Sequence, residues 1–302
     1  MQTVMTRFGL CCVFRKAPIR FRHVTAARLG KYDRCQQLTI LSEICRHNAG
    51  ALMDAVAFCR KNRIGAFRIN SQILPLKTHP DVGYDVYDLP DGELIVEAFR
   101  EVRTFCRDQD IRTTFHPDQF ILLSSPKAEV TRRSLADLAY QAEVAEWVGA
   151  DVINIHGGGA YGDKATALNR LAAEIRRLHP QVRSRLTLEN DDRTFTPADL
   201  LAVCRETGLP LVYDVHHHRC LPDGLSVAEA TEAALSTWNR EPLFHVSSPA
   251  NGWGSGNPRS HHDYVDPADF PTEWLRLPIT VEVEAKAKEL AVLRLKRDLA
   301  AA

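Results

Sequence analysis

At 302 residues, with 45% hydrophobic and 25% charged side chains, the chain has the length and balance of one large globular core. No apolar run approaches the roughly 18 residues of a membrane span, and the start MQTVMTRFGLCCVF lacks the pattern of a secretory signal, so a cytoplasmic protein is expected. Lysine plus arginine balance aspartate plus glutamate at 38 each, which excludes a global electrostatic pull toward polyanions and leaves only local patches to supply one.

In chain order, short β-branched or apolar runs alternate with longer stretches of helical period, the pattern of βα units feeding a parallel sheet. The predicted strands are Arg7–Val13, Ala66–Asn70, Arg112–His116, Asp151–His156, Arg185–Asn190, Leu211–Val215, Leu243–Ser247 and Ile279–Glu284, each followed by a helix candidate. The helix after the second strand is predicted to start near Asp91, burying positions 94, 95, 98, 99, 102, 105 and 106. Ser226 with Glu229 three residues on marks a capping box, and Gly208-Leu209-Pro210 a helix end. Eight units in series predict a single-domain (β/α)₈ TIM barrel ahead of a doubly wound open sheet. The irregular stretches Phe14–Gln37, Ser71–Pro90 and Pro249–Asp266 all follow strands, which gathers them on the functional face of a barrel.

Eight scattered cysteines without a C-x-x-C pair read as reduced, mostly buried thiols rather than a disulfide or zinc framework. Histidines and carboxylates are distributed less evenly. His116, His156, Glu189, Asp214, His217, His245 and Glu284 lie at or just beyond the ends of strands three to eight, and His261 follows strand seven. One histidine at a strand end is ordinarily a hydrogen-bonded structural residue. Three carboxylates converging with several imidazoles are different, because such charge is costly to bury without cations. The set suits two or three divalent ions, with manganese or zinc the fitting metals.

In the run at 216–218, Asp214 with His217 is the more specific pair, which leaves His216 and His218 pointing away from the metals or exposed. HGGGAYGDK (156–164) reads as a tight strand-to-helix passage, its glycines allowing backbone close to the metals and Lys164 free for a phosphate. The first long loop carries Arg15, Lys16, Arg20, Arg22, Arg28, Lys31 and Arg34 against the single acid Asp33, a basic patch suited to phosphate backbone.

Taken together, FRINSQILPLKTHP (67–80), FHPDQF (115–120), SLADLAY (134–140), HGGGAYGDK, LENDD (188–192), DVHHH (214–218), FHVSS (244–248), HHDYV (261–265) and VEAKAKE (283–289) resemble the UV-damage endonuclease family over nearly the whole chain. The resemblance implies metal ligation by the same eight residues, His79 near the scissile phosphate and Gln119 at the damaged dinucleotide. It further implies a 5′ nick beside UV photoproducts or related lesions that leaves 3′-hydroxyl and 5′-phosphate ends. Glu189, His79 and Lys286 are the expected catalytic groups, Lys286 serving the phosphate or pairing with Glu284. Damaged double-stranded DNA is the implied partner, contacted by Gln119, Phe120, Arg20, Arg22 and the position of Leu10, with no membrane and no obligate protein partner. Three positions depart from the family: Leu10 and Phe120 stand where it has probing tyrosines, and Leu243 where some members carry a modified lysine, so one metal position is expected to be weaker or differently bridged. The alternatives weighed against this reading are another metal-dependent barrel enzyme, an abasic-site endonuclease or a sugar isomerase, and a damage-binding protein without catalysis.

Overall fold

The computed structural model describes residues 6–301, so the first five residues of the N-terminal segment lie outside the description. Eight parallel strands close into a barrel in sequence order: β1 (Arg7–Cys11), β2 (Ala66–Ile69), β3 (Arg112–Phe115), β4 (Val152–His156), β5 (Leu186–Glu189), β6 (Leu211–Asp214), β7 (Leu243–Val246) and β8 (Thr280–Val283). β1 closes the ring by pairing with both β2 and β8. Several strands end one or two residues before the sequence suggests, so His116 and Glu284 sit just past the last strand residue.

Helices cover the outside for local reasons. Arg34–Lys61 starts in a capping box of Asp33 and Gln36, which draws the last residues of the first loop into a helix. The expected box of Ser226 and Glu229 opens Val227–Leu235, and Gly208 ends Pro197–Thr207 in a left-handed turn. Gly92–Asp108 buries Ile95, Val96, Phe99, Val102 and Cys106, while Leu94, expected inside, is 62% exposed. The inner stripe is therefore narrower than the run of apolar letters. No α-helix joins β7 to β8; the connection holds only the 3₁₀ turns Pro267–Asp269 and Thr272–Arg276. Five prolines (249, 258, 267, 271 and 278) and three glycines (252, 254 and 256) interrupt that stretch.

Side chains alternate along each strand, and the inward set grades from the sealed end to the mouth. At the N-terminal end, ion pairs Arg7–Glu241 and Arg112–Asp151, each 2.9 Å, close the barrel. Val152, Val212 and Leu243 form a small apolar cluster backed by Trp238. Above them the lumen turns polar, with Thr114, Asn154, Thr187 and Glu282 all buried. Leu243 is thus a packing residue near the closed end. All eight cysteines are free thiols, and no described helix is long and apolar enough to cross a membrane.

Candidate metal centre

The strand ends bring the predicted ligands together. His156, Glu189, Asp214 and His245 are strand residues at the C-terminal end of the barrel, and His217 lies in the short helix Val215–Cys220 that starts where β6 stops. Asp214 shapes that turn by accepting the His217 amide through Oδ1 at 2.8 Å. Its Oδ2 is buried without a hydrogen-bond partner, 3.6 Å from His217 Nδ1. His261 is carried in by an antiparallel bridge with Pro249.

Glu189 is the hub. It is fully buried, with Oε2 2.8 Å from His116 Nε2 and 3.9 Å from His156 Nε2, and Oε1 3.1 Å from His245 Nδ1 and 3.4 Å from His217 Nδ1. Three overlapping donor groups result: His116, His156 and Glu189; His116, His245 and Glu284; Glu189, Asp214 and His217, with the donor atoms in each within 4.8 Å of one another. His261 joins from the side, Nδ1 lying 3.9 Å from Glu284 Oε2. Seven of the eight expected ligands therefore fall into three linked clusters, and the eighth adjoins them.

Neighbouring groups fix the rings. His116 Nδ1 lies 3.1 Å from the Pro117 carbonyl and His217 Nδ1 3.0 Å from that of Asn190, so donation there leaves each Nε2 lone pair free for an ion. Asn190 clamps Asp214 by accepting its amide at 3.0 Å and donating to its carbonyl at 2.9 Å. Asn154 donates to Glu189 Oε2 at 2.5 Å and accepts from Thr187 at 3.0 Å. Burial alone pushes the Glu189 carboxyl upward, yet His245, His156 and His116 hold it well below the usual range. Burial depresses His217 likewise, and Asp214 and Glu189 outweigh it, pushing the imidazole up to about 10. His156 is lowered by burial. Buried anions thus draw positive charge from whatever surrounds them. The unpartnered Asp214 Oδ2 and His156 Nδ1 leave donor capacity in a set whose mixed nitrogen and oxygen chemistry fits divalent ions.

Other expectations need correction. His216 and His218 are buried, not exposed: His218 bridges the Tyr213 hydroxyl at 2.7 Å and Asp223 at 3.0 Å, which fixes the helix carrying His217. Lys164 is taken up by Asp199 at 2.6 Å. Gly158 of its loop, at φ +90°, makes room for a neighbouring side chain, since a Cβ there would collide with Ser124 Oγ. Lys286 is exposed, and Glu284 pairs instead with Arg68 at 2.5 Å. Leu10 is fully buried in β1 and offers no surface to a ligand. Arg68 and Glu282, both buried beneath the centre, are absent from the expected set; each lies on a strand pointing into the lumen, and the two-residue step back from Glu284 is the signal that reaches Glu282.

Around the mouth, Gln119 is exposed and Phe120 is 69% exposed on the turn leaving β3. His79 is half-buried, its Nδ1 accepting the Asp81 amide at 3.1 Å, and it lines a cavity of about 260 Å³ with Gln72, Lys77, Pro117 and Gln141. The seven basic residues of the first loop are all exposed. Their backbone is fixed: Glu289 accepts the amides of Arg15, Lys16 and Ala17, and Asn48 accepts that of Arg22.

Comparison with known proteins bears on these residues together. The family model described as UV-endonuclease UvdE matches residues 6–302. A UV DNA damage endonuclease of Bacillus velezensis is 35% identical over 99% of this chain and 95% of its own, and one of Bacillus cereus is 31% identical over 91% and 86%. Among solved structures, SacUVDE superposes with a TM-score of 0.87 at 25% identity, covering 98% of both chains. Endonuclease IV from Thermus thermophilus, with a TM-score of 0.63 at 19% identity, and D-psicose 3-epimerase from Clostridium cellulolyticum, with 0.57 at 12%, share the fold. Each covers at least 97% in both directions.

Proposed function

Since the chain belongs to the UvdE family of UV endonucleases, we propose that it is a metal-dependent DNA repair hydrolase that nicks the phosphodiester 5′ of UV photoproducts or related lesions, leaving 3′-hydroxyl and 5′-phosphate ends. The observation that carries the reading is the convergence of His116, His156, Glu189, Asp214, His217, His245 and Glu284 in linked clusters at the barrel mouth, with His261 beside them. These residues would hold two or three divalent ions, manganese or zinc, whose chemistry there would be Lewis acidity toward the scissile phosphate and an acidified water. Glu189, which belongs to two of the clusters, would be a ligand common to both. His79, beyond β2, neutralises charge on the phosphate in this reading, with Lys286, exposed just past β8, as a second cation.

The exposed Gln119 and Phe120 supply the contact with the damaged dinucleotide. A polar side chain and a stacking ring replace interactions that the bases lose on leaving the helix. Arg20 and Arg22 hold the phosphate backbone of the duplex, and a cytoplasmic location suits that substrate. The test is incubation of manganese-loaded protein with UV-irradiated, abasic and undamaged duplexes, with each nick mapped and Glu189→Gln as the control. Cleavage immediately 5′ of the photoproduct, lost in the variant with fold intact, is expected. Cleavage of the abasic duplex alone, or none of the irradiated one, refutes the proposal.

A further inference from the structure

Arg68 projects from β2 into the barrel lumen, 8% exposed, and is held there by two carboxylates. Its Nη1 donates to Glu284 Oε1 at 2.5 Å and lies 3.3 Å from Glu282 Oε2. Glu282 is fully buried; Thr114 donates to its Oε1, and its Oε2 lies 3.1 Å from His245 Nε2. A buried arginine with paired acids adds little net stability, because desolvation offsets the attraction. What the arrangement does supply is geometry.

We infer that Arg68 and Glu282 are positioning residues of the metal centre, fixing one carboxylate ligand and one imidazole ligand from beneath. The guanidinium occupies Oε1 of Glu284 and so turns Oε2 toward His261, 3.9 Å away. The same guanidinium holds Glu282 against the far nitrogen of His245, so that His245 Nδ1 faces Glu189 and Glu284 at 3.1 and 3.4 Å. The single nitrogen Nη1 therefore orients donors held by β7 and β8 together, its direction set by the rigid guanidinium plane as a freely rotating ammonium's is not.

The inference rests on the metal reading above, and its test needs no DNA. Manganese equivalents and affinity are measured on the purified chain by metal analysis and by titration of the Mn²⁺ electron paramagnetic resonance signal. Arg68→Met is expected to weaken manganese binding tenfold or more, the size usual for outer-sphere partners of metal ligands, and Arg68→Lys to fall between it and wild type. A role through charge alone predicts the reverse, tighter binding in Arg68→Met, because the site loses a positive charge. Unchanged or tighter binding in that variant overturns the inference. Should Arg68→Met fail to fold, the neutral pair Arg68→Met/Glu282→Gln takes its place with the same expectation and the same refuting result. Wild-type protein that binds no manganese or zinc refutes the metal reading itself, whereas failure of wild-type protein to nick damaged DNA leaves this inference standing.

Discussion

Replacing Glu289 tests whether the basic loop is a built surface or a loose one. Its carboxylate, in the first turn of the last helix, accepts three successive amides: Arg15 at 2.7 Å, Lys16 at 2.6 Å and Ala17 at 3.0 Å. A hydrogen bond to a charged acceptor contributes about 1.5–3 kcal/mol net. The three bonds share one carboxylate and flank exposed side chains, so the sum is discounted and Glu289→Ala should cost about 2–4 kcal/mol. Burial pushes this carboxyl up, but the three amides hold it below the usual range. The contribution is therefore fully present above the unfolded value near 4.3 and is lost as pH falls through the lower folded value. Urea unfolding of wild type and Glu289→Gln should accordingly differ at pH 7 and converge in acid. Filter binding to duplex DNA should weaken severalfold in Glu289→Ala, with the salt dependence retained because every cation of the loop remains. Equal stability together with equal affinity at pH 7 would refute the anchoring argument.

Leu10→Ala should cost about 2–5 kcal/mol of stability and leave discrimination between irradiated and undamaged duplex unchanged, since the side chain is fully buried. Phe120→Ala should do the opposite, keeping the urea midpoint while losing about 1–3 kcal/mol of preference for the lesion, read by competition binding. Neutralising Arg20 and Arg22 together should reduce the slope of log affinity against log salt by up to about 2, and an unchanged slope removes them from the phosphate contacts. Chelation should lower the thermal midpoint reversibly, because ions at 100 times their dissociation constant stabilise the folded chain by about 2.7 kcal/mol; an unshifted midpoint after verified metal removal counts against ion binding at this site.

The barrel and its ligands are legible in sequence for one physical reason. Parallel strands buried on both faces read as short apolar runs, and their C-terminal ends converge, so donors at the ends of β3 to β8 have to meet once the sheet closes. Burial one layer deeper is not legible in the same way. Arg68 and Glu282 look like surface charges on a strand until the closed lumen gives them each other, and the pairing depends on a 214-residue separation that no local pattern carries. Lys286 is the natural partner of Glu284 by proximity in sequence, but just past β8 its side chain turns to solvent, while Arg68 reaches across from β2. His216 and His218 depart from expectation because the exit from β6 is helical: the turn Val215–Cys220 distributes consecutive histidines around an axis and buries all three.

The fold itself leaves the chemistry open. An epimerase acting on sugars shares this barrel at a TM-score of 0.57, so a polar mouth on eight strands does not choose between a sugar and a nucleic acid. What separates the readings is the rim. A sugar enzyme has no use for seven exposed cations on one loop whose backbone is fixed by a buried glutamate and a buried asparagine, nor for a phenyl ring 69% exposed beside the metal ligands. Exposed aromatic surface is costly to keep in water, and an ordered loop of like charges repels itself. Both features make sense together on a face that receives the proposed polyanion with its flat bases, above clustered donors of the kind that bind cations.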